Sequence, residues 1–146
     1  MAQVDNVRNR PNLAALEVWL QKVPYAVLLG IKAELNKGDI LFILPEHKRL
    51  IGNPSLPALH GGVVGAFMEQ AAALHLIAHM DKPALPKIVN FSLDYLQPAR
   101  LRDTYAKCRL SRQGRFISNI TITAWQEHVD QPNAIARAHF LTPEYK

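Results

Sequence analysis

The sequence predicts an α+β protein in which one long helix lies against an antiparallel sheet. Three observations carry this: a proline-free, alanine-rich run at 61–80, a β-hairpin pattern before it, and a succession of β-prone segments after it. A parallel, doubly wound sheet needs a crossover helix between successive strands, and the region from 87 to 141 offers none.

At 146 residues the chain suits one domain with one core, so 1–146 is taken as a single domain with 1–24 as an N-terminal extension and short helix. Hydrophobic residues make up 49% and charged residues 20%, a composition that folds rather than stays disordered.

Residues 12–22 place Leu13, Leu16, Leu20 and Val23 on one stripe behind Pro11 and Asn12, which predicts a short amphipathic helix. From 30 to 44, two β-prone runs flank Asn36, Lys37, Gly38 and Asp39, a hairpin composition. The stretch from Pro45 to Leu59 carries three prolines with Gly52, Asn53 and Ser55, and reads as a loop. The helix at 61–80 is ended by Asp81, Lys82 and Pro83, and its small residues, among them Gly61, Gly62, Gly65 and Ala66, suit a helix closely wrapped by a sheet. Strands are expected at 87–96, 103–112, 115–127 and 134–141. In the third, Phe116, Ile120, Ile122 and Ala124 alternate with Asn119, Thr121, Thr123 and Trp125, as on a sheet with one buried face.

Other features exclude function classes. The apolar stretches are interrupted by Glu69, Gln70, His75 and His79 and fall short of a bilayer span, so no membrane partner is expected. The N-terminus mixes acid, amide and arginine where a secretory signal needs an apolar core, which points to the cytoplasm. A lone Cys108 makes neither a disulfide within the chain nor a thiolate metal site, and reads as a strand residue. The net charge of +5 favours anionic partners, but the 17 basic residues are dispersed, which argues against nucleic acid. His75 and His79 stand i, i+4 without an evident third ligand, so no metal is assigned.

Chemistry concentrates between Asn53 and Glu69. His60, Gly61 and Gly62 open the long helix, where the first N–H groups lack intrahelical partners, the dipole is positive, and bare glycines admit a ligand oxygen. Glu69 lies two turns inside an apolar helix, so its carboxylate is either paired or functional. Asn53 is either a turn residue or an amide that orients water or a carbonyl.

The run His60-Gly61-Gly62, a carboxylate nine residues after the histidine, an upstream asparagine, and Tyr95-Leu96-Gln97-Pro98-Ala99 together resemble the phenylacetate-degradation-type acyl-CoA thioesterases of the hot-dog fold. The resemblance runs from the first hairpin to the last strand and implies a long central helix wrapped by an antiparallel sheet. It implies that the Gly61 N–H binds the thioester carbonyl, that Glu69 is general base or nucleophile, that Asn53 positions water or the carbonyl, and that His60 supports the turn. Many relatives carry aspartate at the position of Glu69. A polar residue that some relatives use on the next strand falls near Ile88, with Asn90 and Ser92 on the same face, and no catalytic hydroxyl is assigned.

Gly61 and Glu69 are eight residues apart on one helix, about 12 Å along its axis, too far to hold one thioester. Two such helices related by a two-fold axis would bring Glu69 of one chain to Gly61 of the other, which predicts a homodimer, or a dimer of dimers, with shared sites. The resemblance implies an acyl-CoA as the substrate, and no separate cofactor is expected. Gly62, Tyr95, Arg112 and Arg115 are further candidate contacts, the two arginines for the phosphates or as a solvated hairpin end. Phe67, Met68, Leu74, Tyr95 and Trp125 are open between acyl pocket and core. The alternatives on this scaffold are a non-catalytic acyl-CoA or ligand binder and a dehydratase or hydratase; the latter follows its histidine with aromatic and proline residues in place of Gly61-Gly62.

Overall fold

The structure, a computed structural model, describes residues 10–142, so residues 1–9 of the expected N-terminal extension and residues 143–146 lie outside the described residues. Leu13–Lys22 forms α1, capped by Asn12, whose side-chain oxygen accepts from the Ala15 N–H at 3.0 Å. Leu16 is buried but Leu13 is 39% exposed, so the buried stripe is narrower than the spacing predicts. A second helix, α2 (Pro24–Leu29), follows directly. Its six residues are too few to show a helical period, and only its ends, Pro24 at the first turn and Gly30 at φ 72°, mark it.

Strands β1 (Lys32–Asn36) and β2 (Asp39–Leu44) form the expected hairpin. Its two turn residues, Lys37 and Gly38, both have positive φ, which matches the right-handed twist of the strands.

The region expected to be loop is partly regular. Beyond a 3-10 turn at Lys48–Leu50, β3 (Ile51–Asn53) and β4 (Ala58–Leu59) pair as a small antiparallel ribbon. Pro54 and Pro57 fall in the turn between these strands, where a missing N–H costs no ladder bond. The buried Ala58 and Leu59 anchor the ribbon to the core.

The long helix α3 spans Gly61–Ala78 and ends at His79, two residues earlier than the composition predicts. By length and composition it is the one described helix apolar enough to cross a membrane, but most of it is buried, as in the core helix of a globular domain. It packs against β5 (Lys87–Tyr95), β6 (Thr104–Gln113), β7 (Ile117–Trp125) and β8 (Ala134–Leu141). The six-stranded sheet has the order β1-β2-β6-β7-β8-β5, every pair antiparallel. Alanines at 106, 124, 136 and 138 are essentially inaccessible, and these small inward side chains let the sheet curl closely around Phe67, Met68 and Ala72.

Two facing assignments differ from the sequence reading. Phe116 lies before β7 and is 46% exposed, and Ser118 takes the inward position below Ile120 and Ile122. The β6–β7 turn, closed by Gly114 N–H to the Ile117 carbonyl at 2.8 Å, sets that register. In β5, a register shift between Ile88 and Asn90 turns Ile88 inward with Phe91 and Leu93 and leaves Asn90 and Ser92 on the outer face.

Candidate active site

The start of α3 is held by its flanking backbone. Leu59 donates its N–H to the Ala99 carbonyl at 2.8 Å, and His60 donates to the Leu50 carbonyl at 2.8 Å, so β4 delivers the chain to the helix at a fixed angle. His60 is the N-cap, and its Nδ1 accepts from the Gly62 N–H at 2.9 Å, satisfying one of the orphan donors of the first turn. The ring leaves little space around it. A Cβ at Gly62 would lie 2.9 Å from His60 Nδ1, and one at Gly52 only 2.6 Å from the His60 Cα. The second contact is with backbone, which cannot swing aside. Gly52→Ala is expected to destabilise by about 1–3 kcal/mol, read from its urea midpoint, because β3 and the His60 turn must separate.

Gly61 is left with an unused donor: its N–H has no acceptor among the described residues, at the positive end of α3. Its carbonyl accepts from the Tyr95 hydroxyl at 2.6 Å, which ties the end of β5 to the helix start. A cleft of about 360 Å³ opens there, lined by Gly61, Val64, Tyr95, Leu96, Pro98 and Asn133 among others. A mainly apolar cleft with an unpaired N–H at its wall suits a ligand that brings an apolar body and a hydrogen-bond acceptor, such as a polarised carbonyl oxygen.

Glu69 is half-buried in α3 and has no side-chain hydrogen bond or ion pair among the described residues. It shares a helix face with Gly62, Ala66 and Ala73, a face that the chain's own sheet leaves partly uncovered. Within one chain it stays about 12 Å from Gly61 along the axis. The structure therefore brings His60, Gly61, Gly62 and Tyr95 together and leaves Glu69 apart.

Asn53 ends β3 opposite Ala58, and its side-chain oxygen accepts from the Ser55 N–H at 3.0 Å, closing a local turn. Arg112 and Arg115 sit at the far end of the sheet from Tyr95. The register Tyr95↔Ala134↔Ala124 and Arg112↔Asn119 places Arg112 roughly 17 Å along the strands and three strands across. They do not reach the Gly61 cleft of their own chain. Phe67, Met68 and Leu74 are fully buried core, and Trp125 packs beside Tyr105 with ring centroids 6.1 Å apart.

His75 and His79 stack with ring centroids 4.4 Å apart, and His79 Nδ1 lies 2.7 Å from the His75 carbonyl. No group of three His, Cys, Asp or Glu side chains able to hold a metal occurs among the described residues. The Nδ1 of His75 is buried without a partner among the described residues; burial, and then the charge of His79, push its pKa down to about 3. Burial raises the Cys108 thiol, which keeps it an unreactive SH.

The depressed histidine makes the fold acid-sensitive. Since the native state holds His75 neutral and the unfolded chain binds its proton near 6.5, this contribution is complete above pH 6.5 and is lost as pH falls toward 3. At pH 5 the loss is about 2 kcal/mol. Thermal melts at pH 7 and pH 5 should therefore converge in His75→Leu, which removes the titrating ring. A wild-type drop retained in full by that variant would assign the acid sensitivity to other groups.

Several residues that shape the cleft carry no signal in the sequence. Asn133, 5% exposed, donates its side-chain N–H to the Pro98 carbonyl at 3.0 Å. Gln126 accepts from the Arg100 N–H at 2.9 Å and donates to the Arg100 carbonyl at 2.8 Å. Both stand in or beside a turn, where polar residues are ordinary, and only the folded contact with 98–100 distinguishes them.

A family model described as the thioesterase superfamily matches residues 56–132, which include most of the cleft wall, α3 and strands β5 to β7. A protein of solved structure from Chromobacterium violaceum is 38% identical, with 92% of this chain and 93% of that one covered and a TM-score of 0.73. The Escherichia coli PaaI protein of the phenylacetic acid degradation operon shares the fold at 15% identity, with 91% and 94% covered and a TM-score of 0.76. A Bacillus halodurans protein solved with CoA does so at 17% identity, with 91% and 92% covered and a TM-score of 0.70. No curated protein matches the chain.

Proposed function

Because this chain belongs to the thioesterase superfamily, we propose that it hydrolyses an acyl thioester of coenzyme A to the free acid and the thiol, in a site completed by a second copy of the chain. The observation that carries the reading is the unpaired Gly61 N–H at the wall of an apolar cleft, at the positive end of a buried helix. Attack on a thioester moves an electron pair onto the carbonyl oxygen, and a preorganised N–H aimed at that oxygen stabilises the charge as it develops.

Glu69 supplies the other half. As general base it takes a proton from water while the water oxygen bonds to the acyl carbon; the tetrahedral species then collapses, the C–S bond breaks, and the thiolate is protonated. As nucleophile, its oxygen attacks the acyl carbon, the C–S bond breaks as the thiolate leaves and is protonated, and water then opens the resulting mixed anhydride to the free acid and the restored carboxylate. Either role suits a half-buried carboxylate with no hydrogen-bond or ion-pair partner among the described residues. His60 holds the turn that presents Gly61, Tyr95 fixes the carbonyl side of the same residue, and the Asn53 amide nitrogen, whose companion oxygen is engaged by Ser55, would orient water or the carbonyl. With its Nδ1 engaged by Gly62, His60 is poorly placed as the base that a dehydratase requires.

Two features support the second copy. Among the described residues the sheet ends at β5, whose outer edge carries no further strand, and Val89 and Tyr95 on this strand are 50% and 57% exposed. The α3 face bearing Gly62, Ala66 and Glu69 is only partly covered, and its small residues permit a close helix approach. An antiparallel, isologous pairing through these surfaces sets Glu69 of one protomer opposite Gly61 of its partner. The reading carries with it a cytoplasmic enzyme whose coenzyme A arrives with the substrate.

Thiol release from short, medium and aromatic acyl-CoA thioesters tests the proposal. Turnover of at least one is the expected result. Binding of coenzyme A with no turnover of any member of the panel would make the protein a carrier or sensor on an enzyme scaffold.

A further inference from the structure

The Gly61 cleft does not end at its apolar wall. Beyond Gln97, Pro98 and Asn133, which line both spaces, it continues into a polar hollow of about 180 Å³ flanked by Arg100 and Arg102. We infer that this hollow is the seat for the phosphate groups of coenzyme A, with Arg102, supported by Arg100, as the residue that selects a phosphorylated thioester. The inference deepens the thioesterase reading and rests on it for the identity of the ligand.

The first property that suits the hollow to phosphate is preorganisation. The segment carrying the two arginines is clamped by side chains from the β7–β8 end of the sheet. Gln126 bonds both the N–H and the carbonyl of Arg100, Asn133 bonds the Pro98 carbonyl, and Gln97 donates to the Gln131 carbonyl at 2.8 Å. A wall held by four side-chain to backbone bonds presents its cations without first being ordered by the ligand.

Charge is the second. Arg100 spends one guanidinium nitrogen on the Leu56 carbonyl at 2.6 Å, and Arg102 pairs through one nitrogen with Glu127. That pair is solvent-facing, its side chains 48% and 65% exposed, so it is weak and open to exchange. A phosphate competes well for such an arginine, because it offers several charged acceptors to the planar guanidinium. Arg112 and Arg115, at the opposite end of the sheet, cannot serve a ligand bound at the Gly61 of the same chain.

Reach is the third. Leu59 and Ala99 are hydrogen-bonded neighbours, with Gly61 two residues beyond one and Arg102 three beyond the other. At most about 3.6 Å per residue and about 5 Å across the pair put Arg102 within about 23 Å of Gly61. That is the scale of an extended phosphopantetheine arm plus an arginine side chain.

Calorimetric titration with coenzyme A and with phosphate-free pantetheine decides the matter. Wild type is expected to bind coenzyme A on the order of a hundredfold more tightly than pantetheine, and Arg102→Gln to cut that ratio about tenfold. Glu127→Gln, which frees Arg102, should raise it, and this variant keeps the test informative if Arg102→Gln folds poorly. A ratio unchanged in both variants, or a wild type that fails to prefer coenzyme A, overturns the inference. If the ratio responds while the acyl-CoA panel gives no thiol release, the phosphate seat stands and the hydrolase reading falls; turnover with an unresponsive ratio gives the reverse.

Discussion

Replacing Glu69 by Gln is expected to lower kcat for thioester hydrolysis by at least about a hundredfold, near 3 kcal/mol of transition-state stabilisation, with the fold intact. The amide is nearly isosteric but neither accepts a proton from water nor attacks a carbonyl. What makes the substitution diagnostic is the environment of the native side chain. Glu69 is half-buried and unpartnered among the described residues, so removing its charge breaks no hydrogen bond or ion pair with them. Melting temperature should shift by no more than a surface change produces, within about 0.5 kcal/mol. A structural carboxylate predicts the opposite pattern, with a lower melting temperature and undiminished kcat. The ratio kcat/KM should fall with kcat, because the carboxylate acts on the reacting carbon rather than on the remote coenzyme.

How far the site was legible in the sequence follows from how local each element is. The helix α3 and the strands β5 to β8 depend on short-range properties, an alanine-rich run without proline and alternating burial, and they stand within a few residues of their expected positions. The ribbon β3–β4 was hidden because its strands have three and two residues among prolines, too short for any period to register. Ser118 displaced Phe116 from the inner face because the tight turn at Gly114 and a register shift between Leu110 and Arg112 set the phase of β7, and neither shows as hydropathy. The string His60-Gly61-Gly62 is readable as a helix start, since capping is local. The two arginine pairs are the instructive contrast. Arg112 and Arg115 look like a phosphate contact because they crowd one turn, whereas Arg100 and Arg102 acquire that character only when the β5–β6 connection folds against Gln126 and Asn133. Long-range contact decides which basic residues share a cleft with Gly61, and composition does not record it.

The arrangement with most at stake is the shared site, and mixing two inactive variants should restore activity from almost nothing. Glu69→Gln removes the carboxylate from one chain. Gly61→Pro removes the N–H from another, at a position that tolerates proline: it is the first residue of α3, and the preceding His60 is extended at φ −61°, ψ 130°. The new ring meets Tyr95, whose hydroxyl would lie 3.1 Å from a Cβ there, but Tyr95 is 57% exposed and can yield by a few tenths of an ångström. In a hybrid dimer, the Glu69 retained by one protomer faces the Gly61 retained by its partner, giving one intact site out of two. Random reassociation makes half the dimers hybrid, so about a quarter of wild-type activity should return on mixing, from two preparations that separately show about a hundredth or less. No recovery after demonstrated subunit exchange would place both groups in one chain's site. The 12 Å between them on α3 would then have to be closed by a movement of the helix start, and the two-fold arrangement would lose its chemical purpose.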